Sequence, residues 1–388
     1  MKEKILVMHQ SQSYAGTDVF ALNIIDGLKK SGYEVEIILN DDNKDIDNFH
    51  NACKTHNYGH RLLTAYHLDS KKAFVKKLFI MISFPILILI HLIKLFKKIK
   101  EINPSKILIV NAGIPGGILV YSGAIVCGLL NINTLYTVHS DVVYNRYLKF
   151  YYYFIEYFVS KFSNIKFVSV SKYNIERILS RSFFIKDVDL VYNGIEKPIN
   201  SLELNDKKTT FDIVFIGNIS LQKGVKVLIE AFKLLGEDTS YRLFIYGKKV
   251  DSLFYNEIIF LIQDNSKITL ILNEYNKDII FKDKDLLILP STSLESFGQV
   301  LIEAMSYGIP VLGSNGLGIK EVIEVDDDYR AGETFKLSDS LALKEKIEKF
   351  NNDKIIYQKY KDNTKYLYEK YFTKELMIEN YIKLLEER

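Results

Sequence analysis

"DLLILPSTSLESFGQVLIEAMSYGIPVLGS" runs from Asp285 to Ser314. It opens on an apolar run, "DLLILPS", that ends in proline and serine. A segment with apolar residues at helical spacing follows, then Gly308 and Pro310, then a second apolar run, "IPVLGS". The pattern reads strand, loop, helix, strand. Two carboxylates, Glu295 and Glu303, flank the mouth and the interior of that helix if it begins after Ser296.

The same alternation extends in both directions. Upstream lie "FDIVFIG", "KGVKVLIEAFKLLG", "YRLFIYG", "NEIIFLIQDN" and "KITLIL". Nearer the amino terminus, "KILVM", "EVEIIL", "KILIV", "NTLYTVH", "KFVSVS" and "DVDLVYN" read as strands, separated by helical segments. Strands alternating with helices specify doubly wound, mostly parallel sheets. A chain of 388 residues exceeds one ordinary core. The polar stretch Gly194–Thr210, with Pro198, marks a break between two such sheets. The expected division is an N-terminal Rossmann-like domain over 1–195 and a linker over 196–210. A C-terminal Rossmann-like domain follows over 211–366, then a terminal helix over 367–388. Two domains of this kind facing each other would hold ligand in a cleft at their strand carboxyl ends. The stretch from Asn40 to Lys72 gives no clear pattern. The aromatic stretch "YNRYLKFYYYFIEYFVSKF" reads as a helix packed on several sides.

Composition narrows the function classes. Hydrophobic residues make up 48% and charged residues 26%, which fits a globular chain. Cys53 and Cys127 stand far apart, arguing for a reducing compartment and against a disulfide scaffold. The seven histidines form no metal-ligand pattern, so no metal site is expected. Net charge is +3, but residues 1–200 hold 25 Lys/Arg against 17 Asp/Glu. A basic first half suits an anionic partner, either a membrane surface or a phosphorylated substrate. Nucleic acid is not expected, because no recognised motif or dense basic cluster occurs. No secretory signal is read at the amino terminus. Leu78–Phe96 is almost wholly apolar and flanked by lysines, with Pro85, His91 and Lys94 inside. A buried helix, a helix lying in a membrane interface and a membrane span all remain open for it.

The two glutamates carry the chemical signal. Along a helix their eight-residue spacing corresponds to roughly 12 Å at most. They cannot share a proton or a metal, but can serve two ends of one extended ligand. Carboxylates accept paired hydrogen bonds from vicinal hydroxyls. Amides of Ser296, Phe297, Gly298 and Gln299 at a helix start suit an anion. Diol, anion, diol is the outline of a nucleotide sugar. Taken alone, Glu295 could be an ordinary first-turn acid and Glu303 a surface residue. The apolar neighbours Val300, Leu301, Ile302, Ala304 and Met305 argue that Glu303 needs a partner.

The segment Leu289–Ile323 resembles the E-x7-E donor signature of retaining glycosyltransferases of family 4. "FIGNISLQKGVKVLIEAF" resembles that family's phosphate loop, and "TVHSD" its N-domain histidine strand. "VSVSKYNIERI", "VYNGIE" and "SYAGTDVFALNIIDGLKKSGYEVEII" match further parts. The resemblance implies the GT-B fold, with donor bound mainly by the second domain and acceptor by the first. It implies catalytic roles for Glu295, His139 and Lys223. Glu303 would hold the ribose, and Phe297, Gly298 and Gln299 would give backbone contacts. Gly217 belongs to the phosphate loop. Asn218 stands where the family commonly has arginine, so Lys223 or Lys248 would carry more of the diphosphate charge. Gly16 and Ala15 belong to the acceptor or phosphate loop, where Ala15 and Asp18 replace the usual glycine and glutamate. His139 by itself could be a satisfied strand-end histidine.

The expected activity is retaining transfer from a nucleoside-diphosphate sugar, UDP-sugar ahead of GDP-sugar, without a metal or other cofactor. The expected acceptor is a glycan, lipid-linked through polyprenyl diphosphate, in surface polysaccharide biosynthesis. The expected location is cytoplasmic, peripheral at the inner face of the cytoplasmic membrane through Leu78–Phe96. A nucleotide-sugar epimerase of the same architecture and a non-catalytic partner in glycan assembly remain alternatives. A dehydrogenase is disfavoured, since "HQSQSYAGTD" lacks the glycine-rich dinucleotide turn.

Overall fold

β1 (Lys4–His9) is apolar from Ile5 to Met8, and all four of those side chains are fully buried. A strand covered on both faces belongs in the middle of a parallel sheet. The computed structural model describes every residue except 1, 12–15, 45, 60–72, 115, 141, 143–148, 199–207, 237–239 and 388, and omits the side chains of 73–83. It divides into two units: Met1–Asn193 with Met377–Arg388, and Gly194–Leu376.

In the first unit β1 is followed by α1 (Gly16–Lys30), β2 (Glu34–Asn40), α2 (Ile46–Ala52), β3 (Lys54–Tyr58) and α3 (Ala73–Ile102). Next come β4 (Lys106–Asn111), α4 (Ile118–Leu129), β5 (Asn133–Val138), α5 (Lys149–Lys161), β6 (Ile165–Ser169), α6 (Lys172–Arg181) and β7 (Asp189–Leu190). The strands form one parallel sheet in the order β3-β2-β1-β4-β5-β6-β7. α1 buries Phe20, Ala21, Ile24, Ile25 and Leu28 on one side of it. It stops at Gly32, φ 95°, where the Tyr33 amide donates to the Leu28 carbonyl at 3.1 Å in a Schellman turn. α3, α4 and α5 contribute to the core on the other side.

The second unit contains β8 (Phe211–Ile219), α7 (Val225–Lys233), β9 (Tyr241–Lys249), α8 (Ser252–Ile262), β10 (Ile268–Leu272), α9 (Lys277–Phe281) and β11 (Leu286–Leu289). It continues with α10 (Gln299–Ser306), β12 (Val311–Ser314), α11 (Leu317–Ile323), β13 (Gly332–Phe335), α12 (Ser340–Asn352) and α13 (Lys354–Tyr371). Its sheet is parallel, ordered β10-β9-β8-β11-β12-β13. α14 (Lys374–Glu386) starts in this unit and ends in the first. The linker expected over 196–210 lies mostly outside the described residues, since 199–207 are among those excepted.

Three local expectations need correction. The unreadable stretch after Asn40 contains α2 and the edge strand β3. β3 looked polar because Lys54 and His56 serve the buried Glu36 on β2, at 3.2 and 2.6 Å. The aromatic stretch is not packed on several sides: α5 turns Tyr152, Ile155, Glu156 and Val159 inward and leaves Phe150, Tyr153, Phe154, Tyr157 and Phe158 exposed. The helix expected after Ser296 begins instead at Gln299, because Gly298 takes a left-handed conformation, φ 86° and ψ 59°.

The apolar stretch Leu78–Phe96 lies in α3, and its side chains are described from Phe84 onward. There Phe84, His91 and Leu95 are buried, and the Tyr58 hydroxyl meets His91 Nδ1 at 2.6 Å. Ile86, Leu89 and Ile93 are each more than half exposed. Among the described residues no helix is long and apolar enough to cross a membrane.

Candidate functional site

In an open parallel sheet the crevice forms where neighbouring strands send their connections to opposite sides. In the second unit that point is the β8/β11 pair, since β8 leads to β9 on one side and β11 to β12 on the other. The loop after β8 and the loop after β11 meet there. The Thr292 amide donates to the Gln222 carbonyl at 2.9 Å, and the Thr292 hydroxyl to the Leu221 carbonyl at 2.7 Å. Gly224, φ 70°, caps the short 3-10 turn Leu221–Lys223, and a Cβ there would collide with the Pro290 carbonyl oxygen. The chain can bring these loops together only with glycine at that position.

The result is an ion pair between Lys223 Nζ and Glu295 Oε1, with the Ser291 hydroxyl donating to the same oxygen at 2.9 Å. The Lys223 stem passes beside Gly217, whose added Cβ would sit 3.9 Å from Lys223 Cδ. Both side chains are partly exposed, at 32% and 19%. Asn218 and Lys248 are register partners on β8 and β9, and both are exposed. Phe297 points its ring inward, 5.9 Å from the Phe372 ring, so it offers backbone only. Gly298 and Gln299 form the start of α10.

Glu303 lies inside α10 and is partly buried, and the partner expected of it is Lys277. Lys277 Nζ stands 2.5 Å from Glu303 Oε2, at the start of α9, where Asn276 caps the helix. One turn on, the Tyr307 hydroxyl donates to Asp278 at 2.6 Å. Glu295 is thus a loop residue paired to a lysine from the β8 loop, and Glu303 a helix residue paired to a lysine from α9. Neither Lys277 nor Ser291 was found from sequence. Lys277 stands 26 positions from Glu303, and Ser291 is one of several serines in its loop.

The first unit has its own reversal point at β1 and β4. His9 ends β1 and is fully buried; Nδ1 faces the Val110 carbonyl at 3.1 Å and Nε2 faces Asp18 Oδ1 at 3.2 Å. Asp18, in the first turn of α1, also accepts from the Ser11 hydroxyl at 2.9 Å and from Asn43 at 3.2 Å. Burial works to raise the Asp18 carboxyl, but His9, Asn43 and Ser11 outweigh it and hold it below its ordinary value. His139 follows β5 with its ring 4.2 Å from Phe20 and its Nε2 3.1 Å from the Thr137 hydroxyl. Burial first, and the nearby His9 second, push the His139 imidazole down to about 3, so it is neutral at ordinary pH. Gly16 opens α1 and is exposed; Ala15 lies outside the described residues.

Comparison with known proteins settles the family. The model for glycosyltransferase family 4 matches residues 14–197, and the model for glycosyl transferases group 1 matches 196–367. The chain belongs to glycosyltransferase family 4. Its fold is GT-B: a Rickettsia africae glycosyltransferase structure superposes with a TM-score of 0.77 at 18% identity, covering 100% of both chains. Anabaena HepE, in complex with UDP and glucose, gives 0.75 at 15% identity over 99% of each chain. The capsular polysaccharide biosynthesis glycosyltransferase CapM of Staphylococcus aureus is 28% identical over 190 residues, 48% of each chain. The chain thus spans about half the length of CapM, and 46% of a Methanocaldococcus jannaschii glycosyltransferase that it also matches.

Proposed function

We propose that this family member transfers a sugar from a nucleoside-diphosphate sugar, UDP-sugar ahead of GDP-sugar, to a glycan acceptor with retention of configuration. The observation that carries the reading is the Lys223–Glu295 pair beyond the β8 and β11 strand ends. Breaking the bond between the anomeric carbon and the phosphate oxygen leaves negative charge on the diphosphate. Lys223 takes that charge, and the α10 start adds its dipole. No metal or other cofactor has a part in the reading. The acceptor oxygen bonds to the anomeric carbon, and its proton passes to the departing diphosphate. Glu295, released from Lys223 when the phosphate arrives, faces the sugar hydroxyls. Glu303 receives the ribose hydroxyls while Lys277 Nζ holds its Oε2. Neutral His139 serves the sugar as a hydrogen-bonding group without adding charge.

The acceptor is read as polyprenyl-diphosphate-linked; the setting, surface polysaccharide synthesis, is that named for CapM, a capsular polysaccharide biosynthesis glycosyltransferase. The protein would work at the cytoplasmic face of the membrane, touching it through Leu78–Phe96, where exposed Ile86, Leu89 and Ile93 precede Lys94, Lys97 and Lys100.

The test is a melting panel with UDP, GDP, ADP and their sugar conjugates, followed by transfer of labelled sugar with EDTA present. A ligand at ~100 times its dissociation constant adds roughly 2.7 kcal/mol. Stabilisation by UDP or GDP and label in a lipid-extractable product support the reading. Donor turnover without any acceptor would replace it with epimerisation, and no nucleotide effect with a non-catalytic role.

A further inference from the structure

The outward face of α5 is a feature of the first unit that the transfer chemistry does not use. Phe150, Phe154 and Phe158 recur every four residues, so they form one ridge along the helix. They are 68%, 43% and 51% exposed. Phe150 and Phe154 touch edge to face at 4.8 Å. Beside the ridge, Tyr153 and Tyr157 lean on Phe184 at 4.7 and 5.1 Å, which extends the aromatic surface sideways.

Charge on this helix is sorted by face. Its one acid, Glu156, is turned inward, where it accepts from the Phe184 amide at 2.7 Å. Its two lysines sit at its two ends and are exposed. Lys149 Nζ lies 5.6 Å from the Phe183 ring centre and Lys161 Nζ 5.4 Å from that of Tyr157. Both ammonium groups thus lie over aromatic rings at the two ends of the face, where anionic headgroups can meet them. Exposed Phe and Tyr are also common in protein interfaces, so the choice of a bilayer rests on the lysines at the two ends of the face. α3 lies in the same layer, its Phe84 ring 5.1 Å from Tyr151, and its own outward Ile86, Leu89 and Ile93 are followed by lysines.

We propose that the Phe150–Phe154–Phe158 ridge of α5, bracketed by Lys149 and Lys161, docks on an anionic bilayer, with its rings in the interface and its lysines on the headgroups. This deepens the membrane contact of the preceding section, on which it rests, by adding a second helix and an aromatic anchor. The test is flotation of the full chain with vesicles of phosphatidylcholine alone or mixed with phosphatidylglycerol. Three proteins are compared: wild type, a Phe150→Ser/Phe154→Ser/Phe158→Ser variant, and an Ile86→Ser/Leu89→Ser/Ile93→Ser variant. Unchanged melting temperatures verify folding. The expected result is wild-type binding to the anionic vesicles only, weakened by salt, and about a tenfold loss in the α5 variant. Equal binding by wild type and the α5 variant overturns the proposal, and loss in the α3 variant alone would then leave the α3 contact standing. No vesicle binding by wild type overturns both contacts. A dimer abolished by the α5 variant, with no vesicle effect, would make the ridge a self-association surface and also overturn it. None of these outcomes depends on donor or acceptor, so failed transfer would be seen separately.

Discussion

Lys277 Nζ lies 2.5 Å from Glu303 Oε2, joining the first residue of α9 to the interior of α10. The pair fixes the orientation of the Glu303 carboxylate. Glu303→Ala should lower UDP or GDP affinity about tenfold or more, since a hydrogen bond to a charged group contributes ~1.5–3 kcal/mol. Lys277→Met should cost about threefold, because the acceptor remains and only its orientation is lost. Calorimetric titration of the two variants checks the order; equal losses would mean that Lys277 contacts the nucleotide itself.

Lys223 and Glu295 should separate binding from chemistry. Lys223→Met should reduce kcat about a hundredfold, the scale seen when one group stabilising developing charge is removed. Glu295→Ala should cut transfer while changing nucleotide affinity less than Glu303→Ala does. Steady-state kinetics beside binding measurements test this, and full transfer by both glutamate variants would remove the site assignment.

Gly224 joins the loop after β8 to the loop after β11. Gly224→Ala adds a methyl against the Pro290 carbonyl at φ 70° and should destabilise by about 3 kcal/mol, strain and overpacking together. Gly236 has nearly the same φ, 74°, but no described atom within 4 Å of its Cβ position. Gly236→Ala should cost only ~1 kcal/mol. Urea melts of the pair isolate the packing contribution.

Glu36 contributes to acid stability in the first unit. Its burial works to raise the carboxyl, but His56, Lys4 and Lys54 outweigh it and hold it at about 2, against an ordinary 4.5. A depressed carboxyl contributes stability above pH 4.5 and loses it as pH falls towards 2. The contribution is roughly 2–3 kcal/mol. Glu36→Gln should be less stable at neutral pH by about that amount and show a flatter acid limb between those two pH values in urea melts.

His139, held at about 3, should show no titration in its imidazole resonances between pH 5 and 8. The pH profile of transfer should then contain no step from this ring, and NMR of the His139→Gln variant against wild type identifies its signals.

The sequence revealed the parallel sheets well because their central strands are apolar on both faces, as in Leu286–Leu289 and Ile107–Val110. It singled out Glu295, Glu303 and Lys223 because their spacing resembles a family pattern, and the structure pairs Glu295 with Lys223 and Glu303 with Lys277. It failed at β3, where lysine and histidine mask a strand by serving a buried glutamate on its neighbour. It failed again at α5, because a run of aromatics looks the same whether it is covered or bare. Lys277 and the His9–Asp18 pair were invisible for another reason. Their partners are set by tertiary approach, across 26 residues for Lys277, and between the end of β1 and the first turn of α1 for His9 and Asp18. The left-handed Gly298 shifted the helix start by a decision of one backbone dihedral, which no side-chain pattern records.

The closing segment of the chain matters to the order in which the protein assembles. Met377, Ile378, Tyr381 and Leu385 are buried in the same core as Phe20 and Ile24 of α1, and Gly27 has no room for a Cβ because Ile378 occupies it. Gly194–Leu376 is continuous in sequence, whereas the core of the first unit needs residues from both sides of it. The unit whose strands are synthesised first is therefore the one finished last. Until then it carries an uncovered apolar stripe on α1, the surface on which a chaperone would act.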